Sequence, residues 1–177
     1  MRHFDEIFAT ASLHKGCDHV VEASLPKCLP GKKLAKQSDA FYLSNMCRRV
    51  FRAGLKHSLV DNKWPAFESV FHDFDPHYCA MLSDDAVDEC LKNTNLIRHH
   101  RKLLSIRANA QFVISTAREY GSFGAYLAHW ESAQTIDLWL DIKKKGQQLG
   151  GSSAPSFLRM VGKDTFMFTR DVVAVLM

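Results

Sequence analysis

One stretch near the C-terminus decides the fold: Ile142-Lys143-Lys144-Lys145-Gly146-Gln147-Gln148-Leu149-Gly150-Gly151-Ser152-Ser153-Ala154-Pro155. It predicts a helix that ends in three lysines, a glycine hairpin, and a second helix opened by Ser152 or Ser153. Glycine lets the hairpin backbone approach a ligand closely, and the unpaired N–H groups at the start of the second helix favour an anion. The stretch therefore predicts a phosphate site flanked by cations. A helix C-cap with a solvated lysine run is the alternative interpretation.

The composition indicates a globular protein with a real hydrophobic core. The chain has 177 residues and is 46% hydrophobic, which suits one domain or two small helical lobes. No run in the sequence approaches the roughly 18 apolar residues of a membrane helix, and the first residues lack the apolar core of a signal peptide. We therefore expect a soluble protein of the cytoplasm.

The spacing of cysteine and histidine predicts neither a disulfide framework nor a metal site. The five cysteines are scattered and form no C-x-x-C pair, so reduced thiols are expected. Neighbouring side chains on a helix point about 100° apart, which makes His99-His100 a poor chelating pair. We expect no metal and no cofactor.

Apolar residues recur at helical spacing and strand signals are almost absent, which predicts an all-α protein. Ser38 and Ser83 are expected helix N-caps, and Gly121 is expected to end a long helix over residues 98–120. The segment 26–33 holds two prolines and a glycine, so we expect it to be an irregular linker. Ser132 is the expected cap of the helix that leads into the hairpin.

Basic residues are concentrated rather than spread evenly, although the net charge is only +4. Clusters occur at residues 48–52, at residues 98–107 and in the lysine triplet. Such clusters can bind phosphates but are also common on solvated faces. Arg48 and Arg52 share one helix face, so this pair could hold a phosphate or form a salt bridge to a second lobe.

Further motifs accompany the hairpin: Phe51-Arg52-Ala53-Gly54-Leu55, Phe74-Asp75-Pro76, Leu96-Ile97-Arg98-His99-His100-Arg101-Lys102, Asn109-Ala110 and Gly121-Ser122-Phe123. In this order and spacing, over about residues 40–162, the chain resembles the helix-hairpin-helix DNA glycosylase superfamily. More closely, it resembles the DNA-3-methyladenine glycosylase I family. The resemblance implies a two-lobed helical fold that hydrolyses the bond between an alkylated adenine and deoxyribose, starting base excision repair. The damaged base must leave the stack to be reached.

The resemblance also implies that the hairpin anchors double-stranded DNA through its phosphates. The residues expected to make this contact are Lys144, Lys145, Gly150, Gly151, Ser152 and Ser153.

Two departures from the family's pattern fall where the damaged base is read. Family members have a glutamate four residues before the Ala-Gly-Leu, where this chain has Arg49, and a tryptophan two residues after Leu55, where it has His57. The family's zinc-binding cysteine and histidine pairs have no counterparts either. We therefore predict a rebuilt base pocket lined by Phe41, Tyr42, Arg49 and His57.

A second resemblance concerns Asp171. The segment 170–173 is similar to the part of the broader superfamily in which an aspartate at the start of a helix is the catalytic carboxylate, although the methyladenine family itself lacks it. By this resemblance Asp171 would stabilise the positive charge that develops on the sugar as the base departs. The residue fits an ordinary acidic position at a helix N-terminus about as well.

Taken together, these patterns predict one glycosylase-like domain over residues 1–177. It comprises an N-terminal helical segment at 1–30, a central lobe at 38–130 and the hairpin with its following helices at 132–177. We expect a monomeric DNA glycosylase that acts on alkylated purines. The alternatives are a catalytically inactive DNA-binding protein with the same scaffold, and a helical protein whose basic surfaces contact RNA or another protein.

Overall fold

Helices make up all the regular structure in residues 3–177, the part of the chain that this computed structural model describes. This confirms the predicted all-α class. In chain order the helices are α1 (Phe4–Lys15), α2 (Asp18–Ser24), α3 (Gly31–Ala35), α4 (Asp39–Arg52), α5 (His57–Val70), α6 (Pro76–Ala80), α7 (Asp84–Lys92), α8 (His100–Tyr120), α9 (Phe123–His129), α10 (Thr135–Lys145), α11 (Ser153–Met160) and α12 (Arg170–Leu176). Two 3₁₀ turns, His72–Phe74 and Ser132–Gln134, precede α6 and α10.

The long helix α8 is the centre of the fold, because α4, α6, α7 and α9 all pack against it. Its buried positions recur three and four residues apart, as expected for a helix that buries a broad stripe. They are Lys102, Leu103, Ser105, Ile106, Asn109, Ala110, Phe112, Val113 and Thr116. The helix ends at Gly121, whose φ of 88° places it in the left-handed region that favours glycine. The predicted C-cap is therefore confirmed.

A stack of aromatic rings fills the space between α4, α5 and the turn before α6. The ring of Trp64 lies 5.0 Å from that of Phe67 and 5.2 Å from that of Phe74, at interplanar angles of 12° and 7°. All three side chains are buried. The buried position of Phe74 requires an unusual backbone, since His72, Asp73 and Phe74 all have positive φ. Such a conformation is costly for residues other than glycine, and the packing of Phe74 stabilises it.

Side-chain caps fix where α4, α7 and α9 begin. The Ser38 hydroxyl accepts a hydrogen bond from the Phe41 N–H at 3.1 Å, and Ser83 caps α7 in the same way. Both predicted N-caps are thus confirmed. Next to Ser38, the Asp39 carboxylate accepts a hydrogen bond from the Phe123 N–H at 2.8 Å, which ties the start of α9 to the start of α4.

Two sequence-based boundaries were wrong. The predicted linker at 26–33 is irregular only up to Pro30, because the chain then forms α3, which packs against α9 and buries Leu34. A proline just before a helix is compatible with helix initiation. Ser132 is not the cap of α10: it lies in a 3₁₀ turn that begins with a capping box between Glu131 and Gln134.

The segment before α3 contacts the end of α11. The Leu29 N–H donates to the Gly162 carbonyl at 2.7 Å, and the Leu29 side chain covers the space where a Cβ of residue 162 would lie. Gly162 has a φ of 81°, so both its backbone and its neighbour favour glycine there.

No helix within residues 3–177 is long and apolar enough to cross a membrane.

The crossing of α3 and α9 gives a test of packing. A Cβ on Gly124 would overlap the Leu34 carbonyl oxygen and lie 3.1 Å from the Ala35 Cα, so backbone would have to move. We expect Gly124→Ala to lower the free energy of unfolding by about 2 kcal/mol, measured by urea denaturation. The control is Gly31→Ala in the same interface, where the new Cβ would lie 3.4 Å from the Ala128 Cβ. Equal losses for the two variants would contradict this account.

Candidate nucleic-acid interface and base pocket

The hairpin exposes backbone N–H groups at the start of α11. Gly150, Gly151 and Ser152 are exposed, and their N–H groups have no acceptor among the residues that the structure describes. Gly151 has a φ of 58°, a conformation that glycine adopts without strain. Consecutive free N–H groups at a helix N-terminus form a phosphate-binding geometry.

Ser153 differs from the other predicted hairpin contacts. It is the first residue of α11 and is buried, with an exposed fraction of 6%. Its N–H already donates to the Gly150 carbonyl at 3.1 Å. In this structure Ser153 therefore closes the turn, and its contact with DNA stays a prediction.

A single amide from the central helix holds the hairpin in place. The Asn109 side chain accepts a hydrogen bond from the Gln147 N–H at 2.7 Å and donates one to the Gln147 carbonyl at 3.2 Å. Asn109 has no exposed surface. Gly146 leaves room for both Leu149 and Asn109, because a Cβ there would overlap the buried Leu149 side chain and lie 3.4 Å from the Asn109 Oδ1. The sequence singled out Asn109 only through the family resemblance.

The three lysines before the hairpin are placed differently from one another. Lys145 turns back along its own helix, where its Nζ lies 2.9 Å from the Asp141 carboxylate and 5.6 Å from the centre of the Tyr126 ring. Lys144 is exposed. The Cε of Lys143 comes within 4.0 Å of the position that a Gly150 Cβ would occupy. The lysine beside Gly150 is thus Lys143. Sequence reasoning did not select it, because the order of residues in the lysine triplet does not show where each side chain points.

Arg48 and Arg52 form one ion pair with α5. The Arg48 Nε and the Arg52 Nη2 lie 2.9 and 2.7 Å from the same oxygen of Asp61. Burial works to raise the pKa of Asp61, but hydrogen bonds from Arg52 and Arg48 outweigh it and hold the pKa below its usual value. The two arginines therefore share a face, as their spacing predicts, and pair with the adjacent helix. Arg52 also contacts α11 through the Met160 sulfur, 3.7 Å away.

Arg49, on the next face of α4, has no such partner. Its Nε is buried without a hydrogen-bond acceptor, and no salt bridge to it occurs within the described residues. The neighbouring cation is Lys102, whose Nζ donates to the Ala53 carbonyl at 2.6 Å and the Phe51 carbonyl at 3.2 Å. Burial lowers the pKa of Lys102, and the charge of Arg49 lowers it further. The position at which the resembling family has a glutamate therefore holds a cation here, with a second cation next to it.

The other predicted pocket residues do not converge on Arg49. Tyr42 has no exposed surface, and its hydroxyl donates to the Leu34 carbonyl at 2.7 Å. Burial, followed by the charge of Asp39, raises the pKa of Tyr42 to about 12. In this structure Tyr42 is a core side chain and not a pocket wall. Its place in a base pocket stays a prediction that would require the core to open.

Phe41 and His57 remain accessible to a ligand. Phe41 lines a surface cavity of about 460 Å³ together with Arg48, Glu68 and Asp73. His57 is exposed at the start of α5, just after the Ala-Gly-Leu turn. The structure thus places His57 at the turn that follows α4, whereas Phe41 opens onto a cavity that is lined by Arg48 but not by Arg49 or His57.

Asp171 lies in the first turn of α12, which Thr169 caps by accepting a hydrogen bond from the Val172 N–H at 3.2 Å. The Asp171 side chain is exposed, and it forms no hydrogen bond or salt bridge with the arginine cluster. The preceding segment is closer to the hairpin: Met167, Phe168 and Thr169 line a cavity of about 390 Å³ with Gly151 and Ser152. The catalytic role of Asp171 stays a prediction.

Within residues 3–177, no group of three or more histidine, cysteine, aspartate or glutamate side chains is placed to hold a metal ion. Cys47, Cys79 and Cys90 are buried, and burial is the main cause that raises the pKa of each thiol.

An all-helical scaffold with an exposed hairpin between α10 and α11 is the arrangement that the sequence resemblance predicts for a helix-hairpin-helix protein. Solved structures share this fold. A 3-methyladenine DNA glycosylase I superposes with a TM-score of 0.63 at 23% identity, covering 72% of this chain and 80% of that one. A 3-methyladenine DNA glycosylase I from Staphylococcus aureus gives a TM-score of 0.62 at 23% identity over 71% and 77% of the two chains.

The chain belongs to the methyladenine glycosylase family, whose sequence pattern matches residues 32–157. A DNA-3-methyladenine glycosylase of Haemophilus influenzae is 30% identical over 82 residues. That alignment covers 46% of this chain and 44% of the relative. The chain thus spans less than half the length of this relative.

The neighbouring arginines allow a matched test of stability. Arg49→Met removes a buried donor without a partner and a repulsive charge beside Lys102, so we expect the free energy of unfolding to rise by about 1 kcal/mol. Arg52→Met removes a paired guanidinium, and we expect a loss of about 1 kcal/mol. Urea denaturation at pH 7 measures both.

The loss of unfolding free energy that we expect for Arg52→Met depends on pH. A carboxylate whose pKa is lowered by folding contributes stability at pH values above its ordinary pKa, which is 3.8 for Asp61. This contribution disappears as the pH falls further. The difference between wild type and Arg52→Met should therefore shrink below that pH. A difference that stays constant from pH 7 to pH 3 would show that the Asp61 pair is not its cause.

Proposed function

We propose that this protein is a DNA glycosylase that hydrolyses the N-glycosidic bond of alkylated purines in double-stranded DNA, the first step of base excision repair. One observation carries the proposal: the family pattern at residues 32–157 includes both the hairpin and the basic cluster behind it. The two solved structures reported above are 3-methyladenine DNA glycosylases, and a further one at a TM-score of 0.64 contains 3-methyladenine itself. Alkylated purines are therefore the substrate class that these similarities favour.

The hairpin supplies a physical basis for DNA binding. The free N–H groups of Gly150, Gly151 and Ser152 would donate hydrogen bonds to a backbone phosphate, with Lys143 beside them. Phosphate contacts fix the register of a protein on the duplex without reading sequence. This suits an enzyme that must find a rare lesion anywhere in DNA.

The chemical step requires stabilisation of positive charge on the sugar. A carboxylate close to the sugar stabilises an oxocarbenium-like transition state. Asp171 is our candidate for this group, since the segment 165–169 brings the start of α12 towards the hairpin side, where Met167, Phe168 and Thr169 share a cavity with Gly151. DNA bound at the hairpin would run close to this segment.

A second candidate function is a DNA-binding protein without glycosylase activity. Arg49 favours it, because the base-reading carboxylate of the resembling family is replaced by a cation with a buried Nε. Both candidates predict a partner of double-stranded DNA with damaged bases, and a monomer in the cytoplasm is the simplest state for either.

The salt dependence of DNA binding tests whether the hairpin contacts backbone phosphates. Each phosphate contact that is lost reduces the slope of log K against log salt by about 0.9. We expect Lys143→Gln to reduce the slope by about that amount. Lys145→Gln should change it by less than half as much, because Asp141 already pairs with Lys145. Fluorescence anisotropy with an undamaged duplex measures both slopes, and a larger effect of Lys145→Gln would contradict the assignment.

Asp171 has a matched control in Asp137, an exposed aspartate in the first turn of α10. We expect Asp171→Asn to reduce release of free base from damaged duplexes by about a hundredfold or more, with DNA affinity unchanged. Asp137→Asn should leave release unchanged. Release is measured by chromatography of the free base from alkylated and deaminated substrates. If both variants keep full activity, Asp171 is an ordinary helix-terminal residue.

A further inference from the structure

A cavity of about 390 Å³, which we call the hairpin cavity, lies between the hairpin and the segment that leads into α12. Its lining includes Gly151 and Ser152 from the hairpin, Trp139 from α10, and Phe168 and Thr169 from the segment before α12. None of the described residues that line it carries a charged side chain. The cavity thus has the size and the mostly apolar lining of a site for a small molecule or for one unit of a larger one.

The aromatic side chains at this cavity are exposed and not packed into the core. Phe168 is 62% exposed, and the neighbouring Phe166 is 44% exposed. The centre of the Phe168 ring lies 6.2 Å from that of Trp139, at an interplanar angle of 90°. An exposed ring leaves apolar surface that a flat ligand can cover. The hairpin cavity therefore offers an aromatic surface to a ligand.

The segment that carries Phe168 is held in place on both sides of this residue. Before it, the Thr165 hydroxyl accepts a hydrogen bond from the Trp139 Nε1–H at 2.9 Å. After it, Thr169 caps α12. The ring centre of Phe166 lies 4.6 Å from that of Trp139 and 5.1 Å from that of Phe168. A ligand would therefore meet a preformed aromatic surface, which lowers the entropic cost of binding.

The hairpin cavity brings together features that the predicted base pocket does not. Phe41 opens onto a cavity that neither Arg49 nor His57 lines. In contrast, Thr169 lines the hairpin cavity, and Asp171 follows it by two residues in the first turn of α12. The hairpin, the exposed aromatic rings and the helix start with the candidate carboxylate thus meet at one place.

We propose that the hairpin cavity holds the damaged base after it has left the duplex, with the base stacked on Phe168 and Trp139. This inference rests on the proposed glycosylase function and adds the location of the base. Stacking on an aromatic ring stabilises a flat base without a matching set of hydrogen bonds. A purine that alkylation has made cationic also gains from the negative face of the ring. The lining therefore suits the substrate class proposed above.

Binding of free 3-methyladenine tests this location without requiring catalysis. The chain has three tryptophans, whose indole N–H groups give separate signals in a nitrogen–proton NMR spectrum, and Trp139→Phe identifies one signal by its loss. We expect 3-methyladenine to shift the Trp139 signal, because a stacked base changes the magnetic environment of the ring beside it. The Trp64 signal should stay unchanged, since Trp64 is stacked in the core between Phe67 and Phe74.

A matched pair of variants tests the aromatic contact. Phe168→Leu keeps the apolar character but removes the ring, and Phe4→Leu makes the same change at a 69% exposed phenylalanine of α1 that does not line the cavity. We expect Phe168→Leu to weaken binding of 3-methyladenine about tenfold and to slow its release from an alkylated duplex by a similar factor. Phe4→Leu should behave as the wild type does. Urea denaturation checks that both variants stay folded.

The outcomes separate this inference from the proposed function. Release of base by the wild type, combined with equal binding by Phe168→Leu or with an unshifted Trp139 signal, would overturn the inference and support the glycosylase function. A shift at His57 without one at Trp139 would place the base at the end of α4 and also overturn the inference. A Trp139 shift that weakens in Phe168→Leu, without release from any damaged duplex, would support the inference and overturn the glycosylase function.

Discussion

The pair of hydrogen bonds between Asn109 and Gln147 is the constraint on which the rest of the site depends. A loop that exposes unpaired N–H groups has few internal contacts of its own, so its shape must be imposed from outside. The Asn109 amide does this from a fully buried position on the central helix, and it satisfies both the donor and the acceptor of one hairpin residue. The free N–H groups of the next turn are then preorganised, and under the proposed function a phosphate would bind there without first ordering the backbone.

In contrast to the hairpin residue held by Asn109, one charged side chain at the end of α4 has no hydrogen-bond partner for its Nε. Asp61 neutralises Arg48 and Arg52 with distances of 2.9 and 2.7 Å and anchors α4 to α5. Arg49, one residue further round the helix, receives no carboxylate and lies beside Lys102. Unpaired buried donors reduce stability. The arginines of this helix are thus distinguished by their partners and not by their type.

Local signals predicted the features that depend on local chemistry. Ser38 and Ser83 cap helices because a hydroxyl satisfies an N–H three residues on, and Gly121 ends α8 because its backbone is left-handed. Features that depend on distant partners were not accessible. Helical spacing placed Arg48 and Arg52 on one face but could not identify Asp61 as the partner. It also could not show that Tyr42 points into the core, or that Lys143 and not Lys145 lies beside Gly150. Each of these depends on tertiary packing, which the spacing of residues in a single sequence does not reveal.

The uninterrupted helix α8 holds Lys102 and Asn109 at a fixed distance from each other. Lys102 borders the arginine cluster and Asn109 holds the hairpin, and the two turns of α8 between them measure about 10 Å. A continuous buried helix offers no hinge, so the spacing between the two cannot adjust to the substrate. Under the proposed function, DNA that bridges them would have to supply the distortion itself. Duplexes that are locally weakened, as at a mispaired or poorly stacked base, distort at lower cost than intact ones. Part of the discrimination between damaged and normal DNA would then come from the stiffness of the protein.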